Sequence, residues 1–295
     1  MIKAKKKILF FGTPDIAIPS LEIISKIPEY EIIGVGVFPD KKVGRKQILT
    51  PCAVKEKALE LNLPIIEISD KIELEKFIKK TDFDLAIVIA FGLIFPAGIL
   101  KSQKFINVHF SLLPEYRGAS PVQSSILDGQ ETSGITWQIM ASKLDSGDIL
   151  FQKEYNIKDQ KTSIIWNNFA KKTAQEFPEF LNKYFDQKLK PDPQNEIEAT
   201  FCGKFIKNDG EINFKTMTAQ EVYQKFCAFD VWPGIFTKTS KGNIKLNEIS
   251  LTSSPTSYEI QCKNNSNISL ETIQIPGKKP TNAIDVFRGN KNIFD

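Results

Sequence analysis

Histidine is almost absent from this chain: there is one, His109, in 295 residues. The four cysteines, Cys52, Cys202, Cys227 and Cys262, are scattered and form no C-x-x-C pair. With so few soft ligands a zinc site has no donor set to draw on, and no metal is expected. A disulfide framework is equally out of place in a chain of this size. No apolar run approaches the ~20 residues that span a bilayer. The basic start, MIKAKKKILFFGTPD, reaches Gly12 and Pro14 too soon to hold a signal-peptide core. A cytoplasmic protein without a membrane partner is therefore expected. G-x-G-x-x-G and G-x-x-x-x-G-K-[ST] are both missing, which disfavours a dinucleotide or P-loop nucleotide. Internal repeats and low-complexity tracts are missing too.

Charge of one sign is also in short supply. The net charge is +4, and residues 191–295 hold 12 Lys/Arg against 12 Asp/Glu, which leaves 27 against 23 for residues 1–190. A polyanionic partner is permitted, but only through a local patch and not through a basic domain. What remains is an ordinary globular composition, 41% hydrophobic and 25% charged, in a chain long enough for one large or two smaller domains.

Along the chain, buried-type strands alternate with amphipathic helices. KILFFG (7–12), EIIGVGVF (31–38), DLAIVIA (84–90) and FINVHF (105–110) read as strands, with helices after Pro14 and at about 52–62 and 71–80. The alternation predicts an α/β fold, an open and mostly parallel sheet with right-handed crossovers. The Pro/Gly-punctuated, basic stretch 39–51 reads as an exposed loop. GITWQIM (134–140) and DILFQKEYNI (148–157) read as an antiparallel pair, followed by a long helix at about 162–187. The Pro- and charge-rich stretch 187–200 marks a boundary. Domains are expected at 1–189 and 206–295, with a linker over 190–205. The second domain shows a helix near 218–230 and several short β-type runs, which suggest a small barrel or sandwich.

In an open α/β sheet, ligands bind beyond the carboxyl ends of the strands. Asn107 and His109 lie at such an end, two residues apart, and a loop with two prolines and a glycine follows. The segment Phe91–Phe95 leaves the neighbouring strand at the same edge. Asp145 stands in the turn between the antiparallel pair, where an acidic residue before Ser-Gly is by itself an ordinary turn former. Position alone leaves His109 open between a strand-end histidine satisfied by backbone and a reactive one.

The motifs decide more. Asn107-Val-His109-Phe-Ser-Leu-Leu-Pro114, then Tyr116-Arg117-Gly118-Ala-Ser-Pro121-Val-Gln123, resembles the N-x-H-x-S-L-L-P signature of folate-dependent formyltransferases. Leu144-Asp145-Ser-Gly-Asp148 resembles their second motif. FFGTPDIAIPSLE, VGRKQILTP, AFGLIFP (90–96) and AFDVWPGIF (228–236) extend the likeness over most of residues 7–240, toward the members that act on charged initiator tRNA. The resemblance implies a Rossmann-like catalytic domain followed by a smaller OB-like β-barrel C-terminal domain. It implies transfer of a formyl group from 10-formyltetrahydrofolate, as co-substrate, to the amino group of methionine on initiator methionyl-tRNA. It implies Asn107, His109 and Asp145 as catalytic residues, and Ser111, Leu112, Leu113, Pro114 and Leu93 around the folate. Arg45, with Lys42 and Lys46, is implied at the acceptor end of the tRNA. Lys278 and Lys279 are expected phosphate contacts of the C-terminal domain.

A neutral amine attacking a formyl carbon builds negative charge on the formyl oxygen. Donors aimed at that oxygen suit the reaction, as does a carboxylate that moves protons and orients an imidazole. No Ser or Cys pairs with the lone histidine as nucleophile and base, so a covalent acyl-enzyme is not expected. Phe110 stands where the family commonly has a small residue, which predicts a narrowed folate mouth or a shifted loop. Trp137 and Trp232 are expected to be packing residues. The C-terminal region is shorter than in the family by about one hairpin and is neutral, which predicts a reduced tRNA surface. A monomer is expected. The competing readings are a formyltransferase acting on an amino-sugar nucleotide and a non-catalytic RNA-binding protein. The basic loop 39–51 and the RGASPVQ variant argue against the first, and the intact Asn107, His109 and Asp145 against the second.

Overall fold

In the computed structural model, which describes residues 4–44, 46–102, 104–240 and 242–289, the apolar run at the start becomes β1 (Lys6–Gly12). It is followed by α1 (Ile18–Ser25), β2 (Tyr30–Val37), the short strands β3 (Lys41–Val43) and β4 (Ile48–Thr50), α2 (Ala53–Glu60), β5 (Ile65–Glu67) and α3 (Lys71–Lys80). Then come β6 (Leu85–Ile89), α4 (Ala97–Leu100), β7 (Phe105–His109), β8 (Arg117–Gly118), α5 (Pro121–Leu127), β9 (Thr132–Ile139), β10 (Ile149–Asn156) and α6 (Thr162–Phe185). The remainder comprises β11 (Phe201–Cys202), α7 (Ala219–Ala228), β12 (Ile235–Thr239), β13 (Gly242–Ser250), β14 (Tyr258–Gln261), β15 (Asn267–Gln274), β16 (Thr281–Asn282) and α8 (Ala283–Gly289).

The chain divides into two units. The first holds residues up to 118 with 134–155 and 166–201; the second holds 119–133, 156–165 and the residues from 202 on. In the first unit seven strands form one sheet in the order β10-β9-β7-β6-β1-β2-β5. β1 pairs in parallel with β2 and β6, β2 with β5, and β6 with β7, while β9 lies antiparallel to β7. From β1 the chain builds outward to β2 and β5 on one side, then returns to build β6 and β7 on the other. This reversal opens a crevice beyond the carboxyl ends of the central strands.

The unbroken apolar sequences of β1 and β6 are what a strand covered on both faces requires, and β6 is buried throughout. Phe11 meets Phe91 and Phe95 edge-on at 5.4 Å, and Phe95 meets Phe105 at 5.6 Å. Each such pair contributes about 0.5–1.5 kcal/mol beyond the area it buries. Asp70 caps α3 by accepting from the Ile72 and Glu73 amides, and Lys79 and Lys80 complement the negative end of the helix. On α6, Phe169, Thr173, Phe177, Phe180 and Leu181 make a buried stripe at helical spacing. Trp137 is fully buried and stacks on Phe180 at 6.0 Å, so it is the packing residue expected.

The second unit has an antiparallel sheet in the order β12-β13-β15-β14, with β16 added to β15, as the smaller β domain expected. Alternate residues Ile244 and Leu246 of β13, with Ile268 and Leu270 of β15, turn inward. α7 starts with a capping box in which Thr218 and Glu221 each accept the other's backbone amide. Burial pushes the Cys227 thiol up to about 11, which leaves it protonated and inert at neutral pH. None of the four cysteines, all among the described residues, is joined in a disulfide.

Two expectations need correction. The stretch 39–51 is not an irregular loop: β3 and β4 pair as a hairpin, Lys42 opposite Leu49 and Val43 opposite Ile48. Gly44 and Gln47, both at positive φ, close its turn. Trp232 is 52% exposed and therefore a surface residue, because it lies in the bend between α7 and β12.

Gly36 of β2 sits beside Phe11 of β1, and a Cβ there would lie 2.2 Å from the Phe11 ring. Gly36→Ala should therefore drive that ring into Phe91 and Phe95. A loss of roughly 1–3 kcal/mol is expected, read as a lower urea midpoint.

Candidate active site

The last residues of β7 carry the site because the strand changes character there. Ile106 and Val108 face one side of the sheet, and Asn107 and His109 face the other. Antiparallel pairing sets Gln138 opposite Asn107 and Thr136 opposite His109. Four polar side chains of two strands thus share one face at the end of the sheet. Directly opposed side chains of this kind lie close enough to interact.

His109 is buried, and its Nε2 lies 2.9 Å from the Tyr116 carbonyl oxygen. A carbonyl can only accept, so Nε2 carries the hydrogen. Nδ1 then faces Asp145, whose Oδ2 is 3.7 Å away. Asp145 arrives from the turn between β9 and β10, and its backbone stands in the left-handed region at φ 47°. Three donors hold its carboxylate. Asn107 Nδ2 (3.3 Å) and Gln138 Nε2 (2.9 Å) donate to Oδ1, and the Gly118 amide (2.9 Å) donates to Oδ2. Asn107, His109 and Asp145, 38 residues apart in sequence at their widest, are therefore brought into one cluster.

The loop after β7 is pinned from beneath. Thr136 Oγ1 donates to the Ser111 carbonyl at 2.6 Å and accepts from the Leu113 amide at 3.2 Å. Gln152 Nε2 donates to the Leu113 carbonyl and to Thr136 Oγ1, both at 2.9 Å. Ser111 is fully buried and its hydroxyl donates to the Glu115 carbonyl. Leu113 is buried as well, whereas Leu112 and Pro114 are half-buried. Leu93 is half-buried against the phenylalanine cluster in the loop that follows β6, the neighbour of β7.

Phe110 corrects an expectation. Strand alternation turns it away from His109, and its ring meets Phe169 of α6 edge-on at 5.6 Å. It is 6% exposed. The ring fills core space and does not narrow the loop mouth.

Lys42 and Lys46 are exposed on the hairpin, beside exposed Val43, Ile48 and Leu49. Arg45 lies outside the described residues. Lys278 and Lys279 are exposed on the second unit, between β15 and β16. Among the described residues no group of three or more His, Cys, Asp or Glu side chains is arranged to hold a metal ion. No described helix is long and apolar enough to cross a membrane.

Sequence reasoning overlooked Gln138, Thr136, Gln152 and Gln194. Gln138 and Thr136 did leave a signal, as polar residues at alternate positions of the run 135–139. Gln194 left none, because its partners stand 47 to 77 residues away.

Residues 6–181 match the Formyl transferase family model, and residues 204–291 match that of the Formyl transferase C-terminal domain. The chain belongs to the formyl transferase family. Within that family it falls among the methionyl-tRNA formyltransferases. The relative so named from Nitratiruptor sp. is 35% identical over 97% of both chains. One from Campylobacter jejuni is 36% identical over 97% of both. Bacillus mycoides has one 34% identical over 97% of this chain and 96% of its own. Among solved structures, the sugar 3N-formyl transferase WlaRD superposes with a TM-score of 0.70 at 21% identity, covering 93% of this chain and 99% of its own. HypX from Aquifex aeolicus gives 0.67 at 16% identity, covering 96% and 49%. These two likenesses speak for the fold alone.

Gly147 closes the Asp145 turn against β9, where a Cβ would stand 1.6 Å from the Ile139 carbonyl oxygen. Gly147→Ala must displace the turn, because backbone cannot yield as a side chain does. We expect formyl transfer to fall at least about 10-fold, in line with the cost of an ångström-scale misplacement, with the far-UV dichroism of the sheet retained.

Proposed function

We propose that this chain moves the formyl group of 10-formyltetrahydrofolate onto the amino group of methionine carried by initiator tRNA, with Asn107, His109 and Asp145 as its catalytic residues. The activity follows its membership among the methionyl-tRNA formyltransferases. The assignment of roles is supported above all by one observation. Three polar side chains of the types this chemistry needs converge at a strand end, with the imidazole and the carboxylate 3.7 Å apart.

Bound 10-formyltetrahydrofolate supplies the electrophilic formyl carbon. Asn107 gives one amide hydrogen to Asp145, which leaves the second for the formyl oxygen as charge builds on it. A donor so placed is typically worth about 10²–10³ in rate. His109 keeps its Nε2 hydrogen on the Tyr116 carbonyl and offers the Nδ1 lone pair to the proton leaving the amine. That proton then passes to N10 of the folate as the formyl C–N10 bond breaks, so tetrahydrofolate leaves neutral and the imidazole is restored. Asp145 stands beside that nitrogen and stabilises the imidazolium once it forms, while the Tyr116 carbonyl holds the neutral ring. The half-buried Leu112, Pro114 and Leu93 offer apolar surface for the folate ring system, while Ser111 and Leu113 shape the loop from inside it.

The hairpin β3–β4 suits the acceptor end of the tRNA. It holds Lys42 and Lys46 in solvent together with exposed apolar side chains, so it can meet both phosphates and unstacked bases. Arg45 is assigned with them on the sequence motif. Lys278 and Lys279 are assigned to phosphates from the second unit. We take residues 1–189 as the catalytic domain, 190–205 as the connecting segment and 206–295 as the tRNA-binding domain. The enzyme works as a monomer in the cytoplasm, where charged initiator tRNA is made.

Incubation with 10-formyltetrahydrofolate and Met-tRNA should give formylated initiator tRNA, and its absence would overturn the reading. Formylation of an amino-sugar nucleotide instead would transfer it to the competing class. His109→Ala and Asp145→Ala are each expected to lower kcat by about 100-fold or more while leaving folate affinity within a few-fold. Replacing Lys42 and Lys46 by Ala should raise KM for tRNA and flatten its salt dependence by about one unit for each phosphate left unneutralised.

A further inference from the structure

We propose that Gln194, in the segment after α6, is a positioning residue for formyl transfer, and that Arg117 holds it in place. The inference rests on the roles proposed above for Asp145 and His109. All the residues involved lie in the first unit.

Gln194 Nε2 donates to the Asp145 carbonyl at 2.9 Å and to the Gly147 carbonyl at 2.7 Å. Its Oε1 accepts from Arg117 Nε at 3.0 Å and from Arg117 Nη2 at 2.8 Å. Guanidinium nitrogens only donate and carbonyl oxygens only accept, so the orientation of this amide is fixed by its partners. Both of its hydrogens and its oxygen are spent. The side chain works as a clip, binding the turn that carries Asp145 on one side and Arg117 on the other.

Arg117 is 2% exposed, so its charge has to be met inside the protein. Glu196 meets it at 2.8 Å, and Phe201 lies under the guanidinium at 5.9 Å. Its chain neighbours serve the same site. The Tyr116 carbonyl holds His109, and the Gly118 amide holds Asp145. Three consecutive residues therefore secure the imidazole, the clip and the carboxylate.

The segment that carries Gln194 is laced to the same unit. Asp192 and Ile149 exchange backbone hydrogen bonds of 2.8 and 2.9 Å. The Arg117 amide donates to the Thr200 carbonyl at 2.9 Å, and the Tyr116 amide donates to Thr200 Oγ1 at 2.8 Å. A stretch whose composition reads as a tether is thus a wall of the site. Its contribution to rate is to keep Asp145, at a strained φ, from drifting.

Gln194→Glu tests this. It keeps the side-chain volume and the acceptor for Arg117 but turns a carboxylate oxygen toward two carbonyls. We expect kcat to fall about 30- to 100-fold, with KM for folate and for Met-tRNA within about threefold of wild type and the melting temperature nearly unchanged. Gln194→Met, which removes both functions, carries the same kinetic expectation at a lowered melting temperature, because Arg117 loses an acceptor, and serves if the Glu variant does not fold. Arg117→Lys loses the two-pronged grip and should lower kcat less, and combining it with Gln194→Met should cost no more than Gln194→Met alone. A kcat within twofold of wild type, a loss confined to KM, or a loss that follows unfolding in both Gln194 variants would each overturn the inference. Asp145→Asn is measured alongside. If it is inactive while Gln194→Glu is normal, only the role of Gln194 fails; if it is fully active, the catalytic assignment itself fails.

Discussion

The carboxylate of Asp145, held against the end of β7, is the point on which the site depends. It accepts from three donors contributed by three different segments: Asn107 of β7, Gln138 of β9 and the Gly118 amide of β8. Those bonds leave Oδ2 directed at His109. A half-buried carboxylate with fewer partners would be costly to keep, and one with movable partners would not stay beside the imidazole. The antiparallel register of β7 and β9 makes the arrangement possible, because it brings Gln138 opposite Asn107 and Thr136 opposite His109. A slip of one residue would turn both pairs to the other face of the sheet.

Holding this geometry has a cost that the rest of the fold offsets. Ala90, Tyr116 and Asp145 all lie in the left-handed region without being glycine. Such residues cost of order 1–3 kcal/mol each and persist only where the surroundings over-determine them. Two of the three belong to the cluster itself: Asp145 carries the carboxylate, and Tyr116 presents the carbonyl that fixes His109. Their surroundings are rigid, with the fully buried β6 on one side and Trp137 packed on α6 on the other. At Asp145 and Tyr116 the strain sits where the backbone must aim a polar group, and burial elsewhere in the core sustains it.

Much of this was legible in the residues. The parallel strands announce themselves as unbroken apolar runs, and α3 runs over 71–80 as its periodicity predicts. Asn107 and His109 are marked by their position after such a run, and the signature motif ties them to Asp145 in kind. Less was legible where local composition has two outcomes. Basic and turn-forming residues over 39–51 suit an irregular loop as well as the hairpin that forms. Phe110 is one residue from His109 in sequence but faces the opposite side of the sheet, against Phe169. The stretch 190–205 has the Pro and charge content of a linker, yet Asp192, Gln194 and Thr200 are hydrogen-bonded to the first unit.

The order of residues alone settled which segments become strands and helices and which residue types stand at the strand ends, because periodicity and turn chemistry act over a few residues. It also determined the family, through a motif dense enough to need no structure. How Asp145 reaches His109, which side of the ring carries the hydrogen, and the hold of Gln138 and Gln194 on the turn follow from the folded sheet. Those outcomes depend on strand register and on contacts between residues 7 to 77 positions apart. Nothing in a local window encodes such contacts, since each is set by how the whole sheet closes and not by the preference of any one segment.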